Sequence, residues 1–136
     1  MTILDHIEVA VSDAEASRHF YEKALAALDI VRVITIEAGQ TRTGGTRHGF
    51  GKDGYPSLWV HDKGMPATGT HIAFAARTRA IVDAFYQAAL KAGGTNNGAP
   101  GVRHQYHAHY YAAYVWDPDG INVEVVCQFA DHFSQP

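Results

Sequence analysis

The stretch HIEVAVSDAEASRHFYEKAL, residues 6–25, returns 65 residues later as HIAFAARTRAIVDAFYQAAL, residues 71–90. His6, Ile7, Ala10, Phe20, Tyr21, Ala24 and Leu25 recur as His71, Ile72, Ala75, Phe85, Tyr86, Ala89 and Leu90. Unrelated segments of ordinary composition would share roughly one or two identities over such a window, so the chain is read as two copies of one structural unit. A duplicated polar residue on a duplicated strand converges on one site when two modules pack about a pseudo-twofold axis. The repeated histidine is therefore the first functional candidate.

Outward from the repeat, each copy reads as strand, helix, then strands. Ile3, Ile7, Val9 and Val11 alternate with polar residues as in a half-buried strand. Ser12 or Asp13 caps a helix whose apolar face is Ala16, Phe20, Ala24 and Leu28. Ile30 to Ile36 is a β-branched strand, Gly39 to Gly45 a loop, and Thr46 to Gly51 and Ser57 to His61 are strands about a turn at Asp53-Gly54. In the second copy His71 to Ala76 is a strand and Thr78 to Ala92 a helix ended by Gly93-Gly94. Thr95 to Val102 carries Gly98, Pro100 and Gly101 and is expected to be loop-like, giving a short or irregular strand. Tyr110 to Trp116 and Ile121 to Gln128 form a hairpin across Asp117-Pro118-Asp119-Gly120. The expected organisation is a single domain over residues 1–136, with modules 1–61 and 70–130 joined by a Gly-rich linker, 62–69.

Composition excludes several classes. The 136 residues are 46% apolar and 18% charged, with a formal charge of -3 and no basic run, so nothing in the chain attracts nucleic acid. No apolar stretch approaches the roughly 18 to 20 residues of a membrane span. The single cysteine, Cys127, has no internal disulfide partner, and Met1 to Ala10 lacks the pattern of a signal peptide, so the cytoplasm is the expected compartment. No Gly-rich phosphate loop precedes a helix and no nucleophile elbow is present.

Period two decides what each strand shows to each side. With Ile7 and Val9 under the helix, His6, Glu8 and Ala10 face the other way; with Ile72 and Phe74 packed, His71, Ala73 and Ala75 do the same. Histidine and alanines on one face are poor core material and suit a cavity wall. In the last strand Glu124 interrupts the apolar run from Ile121 to Cys127, where an unpaired carboxylate would be unfavourable, so it needs a cation or hydrogen-bond donors.

The stretches LDHIEVAVSDAEASRHFY, GTHIAFAARTRAIVDAFY and YYAAYVWDPDGINVEVV together span most of the chain. They resemble the vicinal oxygen chelate superfamily of glyoxalase I, bleomycin-resistance proteins and extradiol dioxygenases. The resemblance implies a glyoxalase-like α+β fold: two βαβββ modules forming a cup-shaped mixed sheet, with helices on the outside and a cavity between opposing sheets. It also implies a divalent metal held by His6, His71 and Glu124, and a homodimer in which the partner's strands complete the cup.

The resemblance breaks at a fourth ligand. The 65-residue offset places Trp59 opposite Glu124, whereas aligning the turns places Leu58 there, and neither binds metal. Two imidazoles and a carboxylate form a facial triad suited to Fe(II), Mn(II) or Zn(II) with substrate or water in the open positions. The expected activity is that of a metal-dependent lyase or dioxygenase on a small oxygenated substrate, aromatic ones included, with His104, Tyr106 or His107 moving protons. The other reading is a metal-free binding protein of the bleomycin-resistance type that sequesters an aromatic or toxic small molecule.

Single residues also have plainer readings. A strand histidine on its own is more often a hydrogen-bonded structural residue, and Glu124 could pair with an arginine. Glu8 lies two positions from His6 on the same face, either orienting it or standing in solvent. His104, Tyr106, His107 and His109 cluster beside Arg103 after a Gly/Pro-rich segment, as pocket-lining or surface histidines commonly do. Phe129 and Phe133 supply apolar surface for a partner to cover.

Overall fold

The computed structural model describes residues 3–130. The first module runs β1 (Ile7–Ala10), α1 (Ala14–Ala24), β2 (Val31–Ile36), β3 (Arg47–Gly51) and β4 (Leu58–His61). The second runs β5 (His71–Ala75), α2 (Arg79–Lys91), β6 (Thr95–Val102), β7 (Tyr111–Trp116) and β8 (Asn122–Cys127). Each builds a four-stranded mixed sheet of the same order, β1-β4-β3-β2 and β5-β8-β7-β6, in which the first strand lies parallel to the last. The two βαβββ modules expected from the repeat are present.

Local chemistry explains the boundaries. Asp13 caps α1 by accepting hydrogen bonds from the Glu15 and Ala16 amides at 3.0 and 3.1 Å, and Thr78 caps α2 through the Ile81 amide at 3.1 Å. α1 stops at Ala24 rather than reaching Leu28, which lies in a following 3₁₀ turn closed by Asp29 in the left-handed conformation. The β3–β4 connection turns through Asp53 and Gly54 at φ 53° and 78°.

Thr95 to Val102 departs from expectation. It is a full eight-residue strand rather than a short one, and irregular as expected, with register shifts between Asn96 and Gly98 and between Gly98 and Gly101. Its place at the sheet edge reconciles the two: Pro100 lacks a donor, which an edge tolerates, and Gly98 at φ 146° takes up a bulge.

One core serves both modules. Phe20 and Tyr21 of α1, Val82, Phe85 and Ala89 of α2, Phe50, Leu58 and Val60 of the first sheet, and Val115, Val123 and Val125 of the second belong to a single buried cluster. The helices pack against one another inside it, and Gly94 admits Phe20 of the other module, since a Cβ there would sit 2.7 Å from the Phe20 ring. The turn before β8 adds a polar lock. The Tyr21 hydroxyl donates to Asp117 at 2.7 Å, and the Ser12 amide donates to the Asp119 carboxylate at 3.1 Å.

Because the helix-covered faces of both sheets share this core, the histidine-bearing faces point away from it. Among the described residues the two histidine-bearing faces therefore do not enclose a cavity between them. The physical reason is that Ile7, Val9, Ile72 and Phe74 all pack against the common cluster, which sends His6 and His71 to separate open faces.

Candidate functional site

On the open face of the second sheet, Glu124 stands across the hairpin from Tyr114 and beside Ala73 of β5. It is only 2% exposed, shut in by three polar neighbours. The Tyr110 hydroxyl donates to Oε2 at 2.5 Å, Tyr114 is hydrogen-bonded to the same carboxylate, and His71 Nε2 lies 3.0 Å from Oε1. Burial and the neighbouring Glu124 charge push the Tyr110 and Tyr114 phenols above their ordinary values, so both remain protonated donors at neutral pH. Tyr114 stacks on His71, with ring centroids 6.4 Å apart, and carries the Arg103 guanidinium 5.3 Å from its ring centroid.

The second nitrogen of His71 decides what the pair is suited to. Nδ1 lies 3.0 Å from the Asn122 carbonyl oxygen, which only accepts, so Nδ1 carries the proton. That leaves Nε2 as the ring atom that faces a carboxylate oxygen. Two acceptors 3.0 Å apart repel unless a proton or a metal ion lies between them. Histidine held through Nδ1 by a backbone carbonyl, leaving Nε2 for a metal, is the common outer-shell arrangement of metal sites.

The open face of the first sheet carries the other half. His6, Glu8, Ile36, Arg47, Tyr55, Pro56 and Trp59 line a cavity of about 470 Å³. His6 Nδ1 lies 2.6 Å from Asp5 Oδ1, and Tyr55 donates to the same oxygen. The Tyr55 and His6 hydrogen bonds hold the Asp5 carboxyl below its ordinary value, so the anion orients this imidazole as Asn122 orients the other. Glu8 Oε1 accepts from Arg47 Nε at 2.8 Å, while His61 Nδ1 stands 3.6 Å from Glu8 Oε2. Gly49 makes room for the indole beside it, since a Cβ there would lie 3.1 Å from Trp59 and 2.7 Å from Pro56.

The strand registers settle the alignment of the modules. Glu8 pairs with Trp59 in one ladder and Ala73 with Glu124 in the other, so the 65-residue offset holds through β4 and β8, and Trp59 rather than Leu58 occupies the position equivalent to Glu124. Leu58 is 3% exposed and belongs to the core.

The paired modules, their parallel first and last strands and the histidines at matching positions agree with the comparison of sequences: the profile of the "Glyoxalase/Bleomycin resistance protein/Dioxygenase superfamily" matches residues 3–125. The chain belongs to that superfamily. Among solved structures, a glyoxalase/bleomycin resistance protein from Albidiferax ferrireducens T118 is 27% identical, with a TM-score of 0.74, covering 94% of this chain and 100% of that one. A glyoxylase/bleomycin resistance protein/dioxygenase domain from Frankia sp. EAN1pec shares the fold at 17% identity and a TM-score of 0.71, covering 97% of this chain and 96% of that one. Glyoxalase I from Zea mays, at 22% identity and a TM-score of 0.66, is matched over 91% of this chain but only 45% of its own length. No curated protein matches.

Measured against the superfamily reading, the structure brings His71 and Glu124 together and leaves His6 on the other open face. Among the described residues, no three His, Cys, Asp or Glu side chains of one chain stand close enough to hold a metal ion. His104, Tyr106 and His107 lie on the loop that delivers Tyr110. Tyr106 packs on the Tyr110 ring at 4.7 Å between centroids. His107 Nδ1 accepts from the His109 amide at 3.0 Å, so its other nitrogen donates to Gln128 at 3.0 Å, and His104 is exposed. Phe133 lies outside the described residues.

Sequence reasoning had missed the Tyr110–Tyr114 clamp on Glu124, the Asp5–Tyr55 support of His6, and His61. The Tyr114 partnership could have been counted from the DPDG turn, which sets Tyr114 opposite Glu124. Among the described residues no helix is long and apolar enough to cross a membrane.

Proposed function

We propose that this protein is a homodimeric, metal-dependent enzyme of the glyoxalase or dioxygenase type, in which His6 of one protomer faces His71 and Glu124 of its partner across a shared cup. The observation that carries this is the His71–Glu124 pair, an imidazole nitrogen oriented through its other nitrogen and set 3.0 Å from a buried carboxylate oxygen, an arrangement that a divalent ion can share. The donor set fits a divalent ion, with two imidazoles held by Nδ1 acceptors and one buried carboxylate. The open faces themselves favour a partner. Val31 and Ile34 are 55% and 41% exposed beside Trp59 on the first sheet, an apolar strip that a second copy would cover.

His6, His71 and Glu124 would hold Fe(II), Mn(II) or Zn(II), which would supply Lewis acidity to a small oxygenated substrate. The residues do the rest. Tyr110 and Tyr114 fix the Glu124 carboxylate, Asn122 and Asp5 fix the rings, and Trp59 offers a flat wall to a small oxygenated substrate, aromatic ones included. On the loop beside Glu124, Tyr106 and His107 are the groups placed to move protons, with His104 further out on the same loop.

A second reading has its own support. Two phenol donors already satisfy Glu124, and an indole stands where the repeat would put a carboxylate, which suits a metal-free protein that sequesters a flat ligand between aromatic walls. Elemental analysis of protein purified without chelator, then titration with Fe(II), Mn(II) and Zn(II), separates the two. Binding near one ion per protomer supports the enzyme, and no bindable metal supports the sequestering protein.

A further inference from the structure

We propose that Glu8 is a fourth ligand to the ion, supplying from β1 the carboxylate that β4 lacks. This rests on the metal-dependent reading above. In the second module the histidine stands on β5 and the carboxylate on β8, and the residue paired with that carboxylate is Ala73. In the first module the equivalent pair is Glu8 and Trp59, so the carboxylate sits on the other side of the same rung. One strand spacing, about 4.8 Å, separates the two arrangements, which the rotamers of a glutamate span.

Three further observations bear on Glu8. It shares the open face with His6, and both line the same cavity. Among the described residues its Oε2 has no partner within hydrogen-bonding distance, His61 Nδ1 being 3.6 Å away. Its one close partner, Arg47, is held in a half-exposed pair of the kind that contributes little and yields readily. With Glu8 included, each module contributes one imidazole and one carboxylate, which is the division a pseudo-twofold site requires.

The test is calorimetric titration of the metal-free protein with Mn(II), together with the visible spectrum of Co(II), whose band intensities report coordination number. Glu8→Gln is expected to weaken Mn(II) by at least about tenfold, the floor set by loss of even an outer-shell partner, and to change the Co(II) bands. Arg47→Met breaks the ion pair but keeps the carboxylate, and is expected to bind at least as tightly as the parent. Glu8→Ala combined with Trp59→Glu returns the carboxylate to β4 and is expected to restore binding. Should that double variant misfold, the Glu8→Gln spectrum decides alone. Unchanged affinity and Co(II) bands in Glu8→Gln, with binding lost in Glu124→Gln, would overturn the role of Glu8 and leave the three-ligand site standing. Equal weakening by Arg47→Met would also overturn it, by assigning the effect to the ion pair. Absence of Mn(II) and Co(II) binding in the parent protein would overturn the metal-dependent reading itself.

Discussion

Replacing Tyr110 by Phe removes one hydroxyl and little else. The ring keeps its packing on Tyr106 at 4.7 Å and on His107 at 5.7 Å, so the change isolates the 2.5 Å hydrogen bond to Glu124. A hydrogen bond to a charged group contributes about 1.5–3 kcal/mol. Glu124 is 2% exposed but retains His71 and Tyr114, which places the expected loss at the lower end, about 1.5 kcal/mol. For a chain of 136 residues that corresponds to a fall in Tm of roughly 4–6 °C. Scanning calorimetry on metal-free protein reads it directly. In the metal-loaded state the same variant acts as loss of an outer-shell partner, with affinity falling by about 10- to 100-fold. A fall in Tm of less than about 1 °C, with metal affinity unchanged, would mean that water replaces the hydroxyl and that the phenol clamp neither stabilises nor orients the carboxylate.

Tyr21→Phe breaks the lock between modules and leaves the buried Asp117 short of a donor; chemical denaturation is expected to show a loss of about 2 kcal/mol. Burial holds the His48 imidazole below its ordinary value of 6.5. The unfolded chain therefore binds the extra proton first, and stability should fall as pH drops from about 6.5 toward the depressed value. His48→Asn is expected to flatten that acid limb in a series of melting curves. Sedimentation at micromolar concentration should show a dimer, and substituting Ile34 by Lys on the exposed apolar strip should shift the population toward monomer.

Much of the fold was legible because the repeat is a long-range signal: two matching copies of strand and helix fix the module, and the DPDG turn fixes the last hairpin. The irregularity of β6 is legible in its glycines and proline, but its full eight-residue length is not, because its place at the sheet edge, which tolerates those residues, is a tertiary fact. The same division holds at the site. His71 and Glu124 followed from alternation and from the unfavourable burial of a lone carboxylate, whereas the separation of His6 from them followed from the helices packing together, which no pattern within one module encodes. The equivalence of Trp59 and Glu124 needed the strand registers, since two plausible alignments differed by one residue.

Subunit complementation tests the shared site most directly. His6→Ala and Glu124→Gln are each expected to abolish metal binding as homodimers, because each breaks both copies of a site built across the twofold axis. Mixing the two by unfolding and refolding creates heterodimers that contain one intact site, with His6 from one protomer and Glu124 from the other. If protomers pair at random, metal content should recover to about one ion per four protomers. No recovery, with dimers re-formed and the parent protein binding one ion per protomer, would contradict a site divided between chains.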